Sequence, residues 1–153
     1  MLTDKLIQSL AFQEGPGIVV CVGNSLRRDD GAGPFLASML KSSGNLTVID
    51  AGSTPENHID GIIAINPRRV LFIDAADFGG APGEARLIPI EAIPATTLST
   101  HGFPLSAVCE LIRQSIPAEI RFIGIQAKDC GFGERLSEEV RKMVEEIAGA
   151  LSR

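Results

Sequence analysis

Apolar residues fall along the chain in two alternating patterns. Continuous β-branched and aliphatic runs occupy 18–22 (IVVCV), 46–50 (LTVID), 69–74 (RVLFID) and 119–125 (EIRFIGI). Runs that do not alternate with polar residues mark strands buried on both faces, so these segments are predicted to be parallel strands. Between them, apolar positions recur at helical spacing over 33–42, 56–65, 104–115 and 135–151, as the crossovers between parallel strands require. A further short helix is predicted over 3–13, where Leu2, Leu6, Ile7 and Leu10 share a face after a Thr3 cap and Gly15-Pro16-Gly17 stops the pattern. The stretch GGAPGEARLI at 79–88 follows the third strand too closely for a helical crossover, so it is read as a turn and a short edge or antiparallel strand. The fold class is α/β: a three-layer α/β/α sandwich around a mostly parallel sheet of about five strands.

Composition narrows this picture. The 153 residues suit one domain, 1–153, with 1–16 as an N-terminal helical extension and 17–153 as the α/β unit. No repeat, low-complexity tract or linker divides them. The formal net charge of -5 and the absence of Trp and Tyr argue against nucleic acid as a partner, since phosphate backbones need clustered positive charge and stacking aromatics. Cys21, Cys109 and Cys130 form no C-x-x-C pair, which fits a reducing, cytoplasmic setting. No run reaches the about 18 apolar residues of a membrane span, and no apolar export segment opens the chain.

Candidate chemistry gathers at strand ends, because ligands of open parallel sheets bind beyond their carboxyl edge. The glycine-rich stretch after the first strand, GNSLRRDDGAGP (23–34), stands where a phosphate usually sits, yet it carries Asp29 and Asp30. The second strand ends at Asp50, the third at Asp74 with Asp77 just beyond, and His101 in STHGFP precedes the helix near Pro104. One of the adjacent aspartates can cap the helix that begins near Gly31, and that role falls to Asp29 as a capping or orienting neighbour. The other then needs a cation or donor to offset its neighbour's charge. Asp74 closes an apolar strand, where an unpaired acid costs several kcal/mol, on the order of 2 to 7. His58, in PENHIDGII, is read as a solvated surface residue, and Cys21 and Cys109 as packing residues; Cys130 is the thiol expected to be exposed. No G-x-S-x-G, H-E-x-x-H or P-loop is present. What remains is a cation site with oxygen ligands from Asp30 and Asp74 and a nitrogen from His101, a mixed set that suits zinc, nickel, iron or manganese.

These motifs together resemble the nickel-iron hydrogenase maturation endopeptidases, and within them the hydrogenase 3 type. The resemblance runs from about Ile18 to the last helix through GNSLRRDDGAGP, IDAGSTPEN, LFIDAADFGGAPGE, STHGFPL and FIGIQ, in matching order and spacing. It implies a peptidase, of aspartic type, that removes the C-terminal extension from the nickel-loaded precursor of a hydrogenase large subunit. It carries the family's metal-binding and catalytic trio onto Asp30, Asp74 and His101, with nickel recognised in the precursor and zinc or cadmium as other occupants. Substrate contacts are carried onto Asp50 and Gly52, with Asn24 beside them; Ala51 stands where the family has its first glycine. A monomer is expected, and the N-terminal helix is an addition to the family pattern that covers a sheet edge or meets a partner. Two other readings share the residues. A phospho-receiver domain also has an acidic pair, a third-strand aspartate and a late lysine, here Lys128; a nickel-binding chaperone would use the same ligands without cleavage.

Overall fold

The computed structural model describes residues 1–12, 15–98 and 103–152. Its elements run α1 Asp4–Ser9, β1 Gly17–Val22, α2 Ala32–Met39, β2 Leu46–Gly52, α3 Ile59–Ile65, β3 Arg69–Ala76, β4 Ala85–Leu87, α4 Ile93–Thr96, α5 Leu105–Ser115, β5 Glu119–Gln126 and α6 Glu138–Leu151. Single turns of 3-10 helix at Arg28–Gly31, Pro55–His58 and Ile90–Ala92 lead into α2, α3 and α4. The predicted helix over 56–65 is shorter as α-helix because a tight turn starts it, and that over 33–42 because the chain turns extended at Leu40.

The strands form one sheet in the order β2-β1-β3-β5-β4. β1 pairs in parallel with β2 and β3, and β3 with β5, while β4 runs antiparallel along the outer side of β5. All six residues of β1 are buried, as its unbroken apolar run predicts for a strand covered on both faces. On one face Val19, Cys21, Leu71, Ile73, Ile123 and Ile125 pack against Leu36 of α2 and Val144 and Ile147 of α6. On the other, Ile18, Val20, Val70, Phe72 and Ile120 pack with Ile62 of α3 and Val108 and Ile112 of α5. These two apolar layers make the α/β/α sandwich.

Strand order reverses between β1 and β3: the chain leaves β1 for β2 on one side and returns to β3 on the other. Such a reversal opens a crevice at the strands' carboxyl ends; Asp30 lies in the loop after β1, and Asp74 within β3, which runs two residues past the predicted end at Asp74.

The N-terminal helix packs into one of the two apolar layers. Thr3 caps it by accepting from the Leu6 N–H, and Leu6 and Leu10 join the core beneath α6. Arg69, the first residue of β3, holds its C-terminal end: the guanidinium donates to the carbonyls of Gln8, Ser9 and Ala11, pairs with Glu119 at 2.9 Å and lies over the Phe12 ring.

Candidate active site

β1 ends in a loop that folds back onto its own strand. Gly23 adopts φ +148 and its N–H donates to Gly52 at the end of β2. A Cβ on Gly23 would stand 2.1 Å from the Asp30 carbonyl oxygen, and one on Gly33 2.1 Å from that of Val22. These two glycines let the loop and α2 press directly on the strand. Asn24 closes the loop, its N–H donating to the Asp30 carbonyl and its Oδ1 accepting from the Leu26 N–H. Asp50 makes a similar local turn, accepting from the Gly52 N–H at 3.3 Å, so its exposed carboxylate stands apart from the residues that line the cleft. Ala51 is buried within β2, and the left-handed residue is Gly52 at φ +55; alanine fits because glycine is needed one position later.

Asp30 and Asp74 line one cleft of about 190 Å3, together with Gly23, Ser53, Pro55, Ile93, Thr97, Phe103 and Ser106 among the described residues. Asp30 is nearly inaccessible at 6% exposure. The Oδ1 of Asp74 is buried with no hydrogen-bond partner among the described residues. Burial, and then the neighbouring Asp30 charge, raise the Asp74 carboxyl well above its ordinary value. His101 lies outside the described residues, although Phe103 and Pro104, just after it, line the same cleft.

The other aspartate of the pair, Asp29, departs from expectation. Asp29 does not cap α2, which has no side-chain cap. Its carboxylate turns the other way, fully buried, and accepts from the N–H groups of Lys128, Asp129 and Ser137 and from the Ser137 hydroxyl at 2.7 to 3.0 Å. Ser137 is the residue before α6, so the acid sits at the N-terminus of a different helix, where negative charge is favoured. Arg27 and Arg28 find partners in the same loop: Arg27 donates to the Cys130 carbonyl, and Arg28 to the Phe132 carbonyl and the Asp129 carboxylate.

Other candidates resolve by their contacts. Asp77 accepts from Gly79 N–H and Gln126 Nε2, and Gln126 Oε1 accepts from Phe78 and Gly80; buried Gln126, the last residue of FIGIQ, thus shapes the turn after β3. His58 is half-buried in its 3-10 turn rather than solvated. Burial pushes the Cys21 and Cys109 thiols up to about 12. Burial, then Asp30 and Asp29, push the half-buried Cys130 up to about 11. A thiol so shifted is a poor nucleophile near neutral pH. Lys128 pairs with Glu139 at 2.9 Å, so the receiver-like lysine is engaged by α6 and not by Asp74.

Among the described residues no group of three or more His, Cys, Asp or Glu side chains is placed to hold a metal ion. Asp30 and Asp74 bring two carboxylates to one cleft, and the buried Asp74 Oδ1 has no hydrogen-bond partner among the described residues. Like charges so placed are relieved by a proton or a cation, and an all-oxygen pair accepts a divalent ion readily.

Comparison with known proteins fits this arrangement. The family described as HycI, hydrogenase maturation protease, matches residues 34–153. The chain is 39% identical over 133 residues to the hydrogenase 3 maturation protease of Escherichia coli strain K12, covering 85% of each chain. A crystal structure of a hydrogenase 3 maturation protease superposes with TM-score 0.78 at 37% identity, covering 88% of both chains. That of the nickel-iron hydrogenase maturation protease HycI from Thermococcus kodakarensis KOD1 gives 0.80 at 29% identity, covering 97% of this chain and 99% of that one. Fold and sequence together define a peptidase built on a three-layer α/β sandwich. The chain belongs to the hydrogenase maturation protease family. The receiver and chaperone readings are thereby set aside.

Proposed function

We propose that this peptidase removes the C-terminal extension from the nickel-loaded precursor of a nickel-iron hydrogenase large subunit, in the cytoplasm and as a monomer. The observation that supports the site assignment is the buried Asp74 Oδ1, without a hydrogen-bond partner among the described residues, beside Asp30 in the cleft at the strand-order reversal. Asp30, Asp74 and His101 meet the nickel already seated in the substrate, and zinc or cadmium occupy the same position when offered. Nickel held there polarises the neighbouring peptide carbonyl, a Lewis-acid effect worth several kcal/mol. One carboxylate positions the attacking water, as an aspartic-type mechanism requires; general-base help of that kind contributes about 10²–10⁴-fold. Asp50, Gly52 and Asn24 contact the peptide outside the cleft: the Gly52 carbonyl accepts from Gly23, which lines the cleft, Asn24 adjoins Gly23, and the exposed Asp50 lies two residues before Gly52. No described helix is long and apolar enough to cross a membrane.

The test mixes the protein with nickel-loaded and nickel-free large-subunit precursor and follows product length by mass. Trimming of the loaded form alone is expected, and it is lost in Asp30→Ala and Asp74→Ala. Equal trimming of both forms, or wild-type trimming by Asp30→Ala, overturns the reading.

A further inference from the structure

Asp29 and Asp30 are adjacent, yet their side chains serve opposite sides of one tight turn. Both lie in the 3-10 helix Arg28–Gly31, whose three residues per turn set neighbouring side chains about 120° apart. A turn of that kind is rigid in rotation about its axis, so the direction of one side chain determines that of the next. Asp29 is the fixed member. It is completely buried, and all four of its bonds reach residues 99 to 108 positions away in the chain. The Asp29 N–H also donates to the Asp129 carbonyl, Arg28 N–H to Gly133, and Gly133 N–H to Leu26. The turn is therefore clamped to the 127–137 loop on both its backbone and its side chain, and Asp30 is left pointing into the cleft.

We propose that Asp29 is a positioning residue for the cleavage reaction: its buried carboxylate, bound to the 127–137 loop, aims the Asp30 carboxylate into the cleft. A buried carboxylate costs free energy unless fully bonded, and the four donors supply that compensation. The inference rests on the cleavage reading for its kinetic consequence but not for its geometry.

The experiment compares Asp29→Asn and Ser137→Ala with wild type and with Val144→Ala, a core change on α6 that lowers stability without touching the clamp. Asn keeps the shape of Asp29 but sets an amide against N–H donors; Ser137→Ala removes one bond. Two readouts are taken on folded protein: the carboxyl 13C resonance of Asp30, and turnover of nickel-loaded precursor. In Asp29→Asn the Asp30 resonance moves and turnover falls about 10- to 100-fold, the scale of a misplaced catalytic group. Ser137→Ala shows the same changes at smaller size, Ser137→Thr restores both, and Val144→Ala shows neither. An unmoved Asp30 resonance, or wild-type turnover, in either clamp variant overturns the proposal. If Asp29→Asn does not fold, Ser137→Ala decides by the same two readouts. If wild-type protein trims no precursor, the functional reading fails, and the Asp30 resonance alone decides the role of Asp29.

Discussion

Asp74 and Asp30 line one cleft from the ends of adjacent parallel strands, and the Asp30 charge adds to burial in raising the Asp74 carboxyl. Folding thus favours the protonated form of Asp74. The unfolded carboxyl titrates near 3.8; as pH rises above that value the unfolded chain gives up a proton that the folded one keeps. Stability is then lost by about 1.4 kcal/mol per pH unit until the folded group titrates. Asp74→Asn removes this term. Urea unfolding is expected to show the variant and wild type converging toward pH 4, with the variant more stable at pH 7 to 8. Parallel curves over this range would show that Asp74 is not so strained.

Gly23 supports the site through shape alone. At φ +148, with the Asp30 carbonyl 2.1 Å from where a Cβ would stand, alanine forces the loop off β1. Gly23→Ala is expected to lower stability by on the order of 2 kcal/mol or more and to cut precursor trimming at least tenfold by displacing Asp30. Unfolding within about 0.5 kcal/mol of wild type would contradict this.

The parts of the molecule legible in the sequence are those set by local pattern. Unbroken runs such as IVVCV announce doubly covered strands, and helical spacing between them leaves little choice but parallel crossovers. The same logic directs attention to the carboxyl edge of the sheet, where Asp30 and Asp74 line one cleft. Asp29 reads locally as a cap of α2, because its partners, Lys128, Asp129 and Ser137, are about a hundred residues distant, and no local pattern reports a bond of that span. The adjacent DD pair was a signal that one acid needed a donor elsewhere. Gln126 escaped for a related reason: its bonds to the 77–80 turn exist only because β3 and β5 are neighbours. The 3-10 turn before α2 was likewise hidden, since residue type does not separate it from an α-helical start.

Arg69 ties α1 to the end of the sheet remote from the cleft. It opens β3, five residues before Asp74, a separation of roughly 16 Å along a strand. Arg69→Ala removes the bonds to Gln8, Ser9 and Ala11 and to Glu119. The expected loss is about 1 to 2 kcal/mol, given the partial exposure of the pair, with faster hydrogen exchange in residues 4–10. Precursor trimming should stay within about twofold of wild type. A large loss of trimming with α1 still protected would instead make the helix part of the substrate surface.

Arg28 sets backbone strain against side-chain bonding at one residue. It holds φ +46, a left-handed conformation that costs a side-chain-bearing residue roughly 1 to 2 kcal/mol relative to glycine. Its guanidinium meanwhile joins the Phe132 carbonyl and the Asp129 carboxylate, which the Gly131 N–H and then Arg28 hold below its ordinary range. Arg28→Ala gives up the bonds and keeps the strain, whereas Arg28→Gly gives up the bonds and releases the strain. Glycine should therefore be more stable than alanine here by about 1 kcal/mol, the reverse of their order within a helix. Denaturation midpoints of the three proteins measure this directly. Alanine equal to or above glycine would mean that position 28 leaves the left-handed region once its guanidinium is removed, so that the side chain's bonds to the 127–137 loop are what hold the turn in place.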